Sequence, residues 1–217
     1  MSASRPGVKL CGMMRAEDAA RGAAAGACYL GVVFAGGPRR VTASQAAAVR
    51  EAAADVPVMG VFGTQTVEEI LRLVRTVGLR GAQLHGDYDA AAAARLRAEG
   101  LLVWRVVRVG SAADLDRVSR VTEAADAVLV EPRVPGRQGG AGVALDLTVA
   151  LEARRRLAGQ AMVLAGGLTP ATVADAVALV RPDVVDVSSG VEVLPGVKDP
   201  DKIARFVEAV LGHSAIS

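Results

Sequence analysis

The stretch Val8-Lys9-Leu10-Cys11-Gly12 is a short apolar run that ends at a glycine, and a helical pattern opens directly behind it. A strand that stops at Cys11 presents its sulfur at the strand's carboxyl end. Barrels and doubly wound α/β proteins keep their chemistry at that end. Cys11 is therefore a candidate catalytic residue, although a free cysteine is more often a small buried hydrophobe.

Similar runs, rich in β-branched residues, recur along the chain at intervals of roughly 20 to 30 residues, which is typical of alternating strands and helices. Several are continuously apolar, as expected of parallel strands that are buried on both faces. We predict eight strands, at Val8–Cys11, Tyr29–Phe34, Val58–Phe62, Gly81–Leu84, Val103–Val107, Ala127–Glu131, Met162–Ala165 and Val184–Val187.

Helical patterns separate these strands. Thr42 begins one helix and Thr66 begins another, with a glutamate three residues after Thr66 as in a capping box. The alanine run 90–94 indicates helix, Pro170 is predicted at a first helical position, and residues 202–211 form an amphipathic helix. Eight strand–helix repeats in 217 residues favour a single α/β (β/α)8 TIM barrel with a parallel eight-stranded sheet.

Composition limits the function classes. No linker or composition break divides the chain, so we predict one domain over residues 1–217, with 1–6 as a flexible N-terminal tail. A net charge of +2, scattered basic residues and 3% aromatic residues argue against a nucleic-acid partner. No apolar stretch suits a signal peptide or a membrane span, and two cysteines suit a reducing compartment, so we expect a cytoplasmic protein.

Glycine-rich turns follow the last two predicted strands of the barrel. Gly166 and Gly167 follow strand seven, and Gly190 follows strand eight. Glycines let backbone N–H groups approach an anion closely, and a helix N-terminus behind them favours negative charge. The pattern predicts a phosphate-binding corner, and tight turns without a ligand are the alternative.

Two titratable residues at strand ends form a candidate base and acid. A thiol such as Cys11 is a useful base when a positive neighbour or a helix N-terminus lowers its pKa. A carboxyl such as Glu131 donates a proton near pH 7 only when burial or negative charge raises its pKa. The alternative for Glu131 is a surface acid paired with Arg133 or Arg137.

Two more polar residues belong to the same predicted mouth. Arg39 follows Pro38 at a rigid turn, so its guanidinium can be held ready for a carboxylate, and a solvated charge is the alternative. His85 ends strand four and is expected to line the pocket rather than to bind a metal. No His, Cys, Asp and Glu residues have a convincing metal-ligand spacing.

Together these segments resemble the phosphoribosylanthranilate isomerase family of tryptophan biosynthesis. The segments that carry the resemblance fall in order and span nearly the whole chain. They are Val8–Gly12, Pro38–Val41, Met59–Phe62, Gln83–Gly86, Val134–Gly136 with Gly139–Gly142, Leu164–Pro170, Asp186–Glu192 and Pro195–Asp199.

The resemblance implies a barrel enzyme without cofactor or metal that performs an Amadori rearrangement of N-(5-phosphoribosyl)anthranilate. It implies that Cys11 is the general base, that Arg39 holds the anthranilate carboxylate and that Asp186 lies near the sugar hydroxyls. The turns at 166–167 and at Ser189-Gly190 match the phosphate site, and His85 is expected to contact the substrate. We expect a monomer or a homodimer, with a small phosphosugar as its partner.

The most serious departure from the family pattern is at the end of strand six, and smaller ones are Met14, Gly37, Ala141 and Val143. The family has an aspartate as general acid at the end of strand six, and this chain has Glu131. The extra methylene displaces the carboxyl, and misplacement by about 1 Å can cost on the order of 100-fold in rate. Two alternatives to the isomerase follow: a related phosphosugar isomerase with a shifted substrate, and a weakly active or non-catalytic phosphosugar-binding paralogue. Retention of Cys11 counts against the paralogue, because binding alone does not need a thiol.

Overall fold

The computed structural model of the protein describes residues 5–118, 121–134, 143–157 and 159–212. Eight parallel strands form a closed barrel, in which each strand pairs with its neighbours in sequence and the eighth pairs with the first. This confirms the predicted (β/α)8 barrel. The strands are β1 (Gly7–Leu10), β2 (Tyr29–Val33), β3 (Val58–Phe62), β4 (Gly81–Leu84), β5 (Leu102–Val109), β6 (Ala127–Pro132), β7 (Ala161–Ala165) and β8 (Val184–Val187).

Helices follow the strands along the outside of the barrel. They are α1 (Ala16–Ala24), α2 (Ala43–Ala52), α3 (Val67–Val77), α4 (Ala90–Ala98), α5 (Ala112–Leu115), α6 (Leu147–Arg156), α7 (Val173–Val180) and α8 (Pro200–Leu211). Between β8 and α8 the chain makes a 3-10 turn at Ser189–Val191 and a short hairpin of β9 (Glu192–Leu194) and β10 (Val197–Lys198). In the described ranges, no helix is both long and apolar enough to cross a membrane.

The first residues and N-caps of the helices can be compared with the predicted ones. Thr42 and Thr66 each cap a helix with a complete capping box, as predicted. The prediction for Pro170 is wrong, because α7 begins at Val173 with Thr172 as its N-cap. The Thr172 hydroxyl accepts a hydrogen bond from the Thr169 N–H, which closes a turn over Pro170 before the helix starts. Residues 1–4 of the predicted tail lie outside the described ranges.

Successive side chains of each strand point alternately into the barrel and out towards the helices, which gives the protein an inner and an outer apolar core. Inward side chains fill the barrel with a small apolar cluster of Met59, Trp104, Ala127, Leu129, Val163 and Ala165. The opposite faces of the strands pack against the helices in a much larger cluster. Because every second residue points inward, the inward position nearest each carboxyl end faces the mouth above the inner cluster. Glu131 on β6 and Asp186 on β8 occupy such positions.

Candidate active site

A cavity of about 540 Å³ opens at the carboxyl ends of the strands. Every site residue predicted from the sequence lines it. These residues are Cys11, Arg39, His85, Glu131, Gly166, Gly167, Asp186, Ser189 and Gly190. They come from the ends of six different strands, so closure of the barrel is what brings them together.

Cys11 follows β1 directly, and its thiol is buried at the cavity wall. The Cys11 N–H donates to the Val187 carbonyl at 2.8 Å, so the backbone still follows the sheet ladder. A Cβ at Gly31 would lie 2.8 Å from Cys11 Sγ and 3.2 Å from Lys9 Nζ. The missing side chain at position 31 therefore leaves the space in which the thiol and the Lys9 ammonium converge.

Burial and the charged neighbours of Cys11 together set the pKa of its thiol. Burial raises the pKa of the Cys11 thiol above its ordinary value, and the nearby Asp186 raises it further. Lys9 and Lys198 lower it but do not outweigh burial. The ligand-free site thus holds Cys11 mainly as a thiol, with two lysines that favour the thiolate once a proton leaves.

Lys9 is fully buried behind the cavity-lining residues Gln83 and Asp186. Its Nζ donates to Asp186 Oδ1 and to Gln83 Oε1, both at 3.0 Å, and it lies 5.7 Å from the centre of the Trp104 ring. Burial lowers the pKa of Lys9, but the charges of Asp186 and Cys11 outweigh burial and hold it above its ordinary value. Lys9 is therefore a fixed positive charge between the apolar inner cluster and the reacting groups.

Glu131 is buried on the opposite side of the mouth. Arg108 Nε donates to Glu131 Oε1 at 2.8 Å, and His85 Nε2 lies 3.2 Å from the same oxygen. The alternative of a surface acid paired with Arg133 is wrong, because Arg133 pairs with Asp114 instead. Arg137, the other partner considered, lies outside the described residues.

The environment of Glu131 gives it the properties of a general acid. Burial raises its pKa to about 7. Arg108 and Lys9 lower that pKa, and the negative charge of Asp186 raises it. A carboxyl with a pKa near 7 is protonated in a substantial fraction of molecules at neutral pH and can still release its proton.

Arg39 lies in the turn after β2 and is half-buried against the β9 hairpin. Its Nε and Nη2 donate to the two carboxylate oxygens of Glu192, at 2.8 and 2.7 Å. Lys198 Nζ donates to Glu192 at 2.8 Å, and also to the Cys11 and Ser188 carbonyls. Although burial raises the pKa of Glu192, Arg39 and Lys198 hold it below its ordinary value. Glu192 thus fixes one edge of the guanidinium and leaves the Nη1 end for another carboxylate.

The glycine corner after β7 and β8 is closely packed. Gly166 and Gly167 have φ angles of 107° and 62°, which disfavour other residues. A Cβ at Gly190 would lie 1.9 Å from the Leu168 carbonyl oxygen, so the two loops touch backbone to backbone. The helix N-terminus predicted behind this corner begins only at Val173, and β8 is followed by a single 3-10 turn. Tight packing explains these glycines by itself, and phosphate binding stays a prediction.

Sequence reasoning missed the residues that surround the predicted pair. Arg108, Lys9, Gln83, Glu192 and Lys198 had no role assigned to them. A signal for Arg108 exists, because Leu102, Trp104 and Val106 alternate inward along β5 and position 108 continues that series. The predicted strand stopped at Val107 and so excluded Arg108. Among the described residues, no group of three His, Cys, Asp or Glu side chains is arranged to hold a metal ion.

Comparison with known proteins places this site in a family. The family model for N-(5'-phosphoribosyl)anthranilate (PRA) isomerase matches residues 8–209. The isomerase of Roseiflexus castenholzii is 42% identical over 211 residues, which cover 93% of this chain and 96% of that protein. The crystal structure of the Thermotoga maritima isomerase has a TM-score of 0.86 and 33% identity, covering 96% of this chain and 100% of the other. A structure of the isomerase in complex with reduced 1-(o-carboxyphenylamino)-1-deoxyribulose 5-phosphate has a TM-score of 0.84 and 32% identity, with the same coverage. The chain belongs to the phosphoribosylanthranilate isomerase family and is an isomerase of tryptophan biosynthesis.

Proposed function

We propose that Glu131 is the general acid and Cys11 the general base of this isomerase, acting on N-(5'-phosphoribosyl)anthranilate. The observation that carries the assignment is that a buried carboxyl with a pKa of about 7 and a buried thiol beside two lysines line one cavity. Such a pair can move one proton onto the substrate and remove another without a cofactor.

The proposed reaction begins with the transfer of the Glu131 proton to the furanose ring oxygen. The bond between that oxygen and C1 breaks, and the nitrogen lone pair forms a C1–N double bond, which gives a protonated Schiff base. Cys11 acts in its thiolate form, which burial disfavours and the charges of Lys9 and Lys198 favour. The thiolate removes the proton from C2, and the electrons of that C–H bond form a C1–C2 double bond and neutralise the nitrogen. The resulting enolamine tautomerises to the ketone 1-(2-carboxyphenylamino)-1-deoxyribulose 5-phosphate.

The remaining residues that line the cavity are proposed to bind and orient the substrate. The free Nη1 end of Arg39 takes the anthranilate carboxylate while Glu192 fixes the other edge. Asp186 and His85 face the sugar hydroxyls from the cavity wall. The phosphate binds at the packed corner formed by Gly166, Gly167, Ser189 and Gly190, whose backbone N–H groups are its donors.

The two proton-transfer roles are tested with Cys11→Ser and Glu131→Gln, which preserve shape and remove the base and the acid. We expect kcat to fall by about 10²- to 10⁴-fold in each, with binding of reduced 1-(o-carboxyphenylamino)-1-deoxyribulose 5-phosphate largely kept. The matched control is Cys28→Ser, because Cys28 bonds to the Val8 carbonyl and does not line the cavity. Normal turnover by either Cys11→Ser or Glu131→Gln refutes that residue's role. Complementation of a strain lacking the isomerase checks the activity in cells.

The assembly state is a separate expectation. We propose a monomer or a homodimer, and a Thermotoga maritima relative is dimeric. Sedimentation equilibrium of the purified chain distinguishes the two states, and a tetramer or larger species would contradict both.

A further inference from the structure

The carboxyl of Glu131 is held by side chains from two neighbouring strand ends. Arg108 is the direct register partner of Glu131 across the β5–β6 pair, so the two side chains stand side by side on the inner face. Arg108 Nε donates to Glu131 Oε1 at 2.8 Å, and Arg108 Nη2 donates to the His85 carbonyl at 2.7 Å. The guanidinium therefore bridges the end of β4 and the end of β6 along the rim, and it donates a hydrogen bond to each.

The His85 ring supports the same oxygen of Glu131. Lys9 can only donate, so Gln83 Oε1 accepts from it, and the Gln83 amide N–H₂ faces His85 Nδ1 at 3.5 Å. This arrangement favours a proton on His85 Nε2, which lies 3.2 Å from Glu131 Oε1. Two donors thus converge on one carboxyl oxygen.

The position of the acidic proton follows from this arrangement. Oε1 receives both donors, so it acts as the acceptor oxygen of the carboxyl. When Glu131 is protonated, its hydrogen belongs on Oε2. Glu131 lines the cavity, and because two donors engage Oε1, Oε2 is left to contact a substrate there.

We propose that Arg108 is a positioning residue for catalysis: it fixes Glu131 Oε1 at the rim so that Oε2 presents its proton to the substrate. The inference rests on the assignment of Glu131 as the acid. A glutamate has one more rotatable bond than an aspartate, so without an anchor its carboxyl samples more positions. Arg108 removes that freedom through a charge-assisted hydrogen bond whose donor is itself held by the His85 carbonyl.

A stabilising ion pair without a positioning role is the competing explanation. The Arg108 side chain is 23% exposed and that of Glu131 only 9%, so the pair lies between exposed and buried ion pairs and its effect on folding does not distinguish the two explanations. The two explanations differ in what Arg108→Met does to the rate and to its pH dependence. The groups that act on Glu131 are Arg108 on β5, His85 after β4, Asp186 on β8 and Lys9 on β1. Loss of Arg108 leaves burial and Asp186 to raise the pKa of Glu131 further.

The experiment compares Arg108→Met, Arg108→Lys and the matched control Arg133→Met in steady-state kinetics across pH. In Arg108→Met we expect kcat to fall about 10- to 100-fold with KM little changed. We expect Glu131 to give the wild-type kcat/KM profile a pKa of about 7, and this pKa should be higher in Arg108→Met. Arg108→Lys keeps the positive charge but lacks the planar guanidinium. Its kcat should lie between those of the wild type and Arg108→Met, and the pKa of Glu131 should stay nearer its wild-type value.

The controls separate the possible failures. Arg133→Met removes a neighbouring arginine–carboxylate pair that reaches the Arg108 carbonyl at 3.5 Å but neither the Arg108 guanidinium nor Glu131, and it should keep kcat and the pH profile. If Arg108→Met fails to fold, Arg108→Lys carries the test through its kcat and its pH profile. Wild-type kcat and an unmoved pKa in a folded Arg108 variant overturn the positioning role alone. Full activity in Glu131→Gln overturns the acid assignment, and the positioning role with it.

Discussion

The two proposed proton-transfer groups, Cys11 and Glu131, stand at opposite sides of one cavity, and the fold supports them in different ways. On the base side, Cys11 is supported by Lys9 and Lys198, whose side chains have no exposure to solvent. On the acid side, Glu131 is supported by Arg108, whose side chain is 23% exposed at the rim. The base therefore depends on charges inside the barrel, and the acid depends on a side chain at its edge.

This difference bears on which residues can change. A buried ammonium that holds a buried carboxylate cannot be removed without leaving an unpaired charge in the core. A rim arginine can be exchanged at smaller cost to folding, because its side chain reaches water and the buried Glu131, whose pKa is about 7, can take up a proton. The departure from the family pattern, Glu131 in place of aspartate, lies on the rim side. There, a longer acid can be accommodated by its neighbour Arg108.

One chain of contacts joins the two sides. Lys9 bonds to Gln83, Gln83 faces His85, and His85 contacts Glu131. Lys9 also lowers the pKa of both Cys11 and Glu131. A change at Lys9 therefore reaches both proton-transfer groups, whereas a change at Arg108 acts on Glu131 directly.

The largest expected effect is on stability at the base side. Lys9→Met leaves the buried Asp186 carboxylate unpaired, so we expect the free energy of unfolding to fall by about 3–5 kcal/mol. Arg108→Met should cost less, because Glu131 is buried but its carboxyl, with a pKa of about 7, can become neutral when its partner is lost. Urea denaturation of both variants at pH 7 measures the difference. Adding Asp186→Asn to Lys9→Met should recover part of the loss, and equal losses for the two single variants would contradict the distinction between interior and rim.

The next effect is kinetic and lies on the acid side. Glu131→Asp restores the family residue, yet we expect kcat to fall by about 100-fold, because the shorter carboxyl does not reach the Arg108 and His85 donors from the same strand position. In the Glu131→Asp background, Arg108→Met should cost less than it does in the wild type, since the contact is already lost. A gain in kcat for Glu131→Asp, or full additivity of the two changes, would contradict this account.

The sequence predicts the positions of Cys11 and Glu131 better than the partners of either residue, for a physical reason. The strands, the capping threonines and the strand-end positions of Cys11 and Glu131 follow from local patterns of apolar and turn residues. The partner of Glu131 follows from strand register, which pairs it with Arg108 across 23 residues. Strand register is fixed only when the barrel closes, so the spacing of residues in the sequence does not show which residues become register partners. The same holds for Glu192, which meets Arg39 across 153 residues.

The smallest expected effect lies at the phosphate corner, which supports neither proton-transfer group. Ser189 lines the cavity after β8 beside Gly190, and we expect its hydroxyl to donate to the phosphate in addition to the backbone N–H groups, so Ser189→Ala should remove one hydrogen bond, worth about 1 kcal/mol. We expect KM to rise about fivefold with kcat unchanged. Calorimetry should show weaker binding of ribose 5-phosphate and unchanged binding of anthranilate. If kcat falls instead, or anthranilate binding weakens, Ser189 acts on the reacting centre, and the corner is not independent of the acid and base sides.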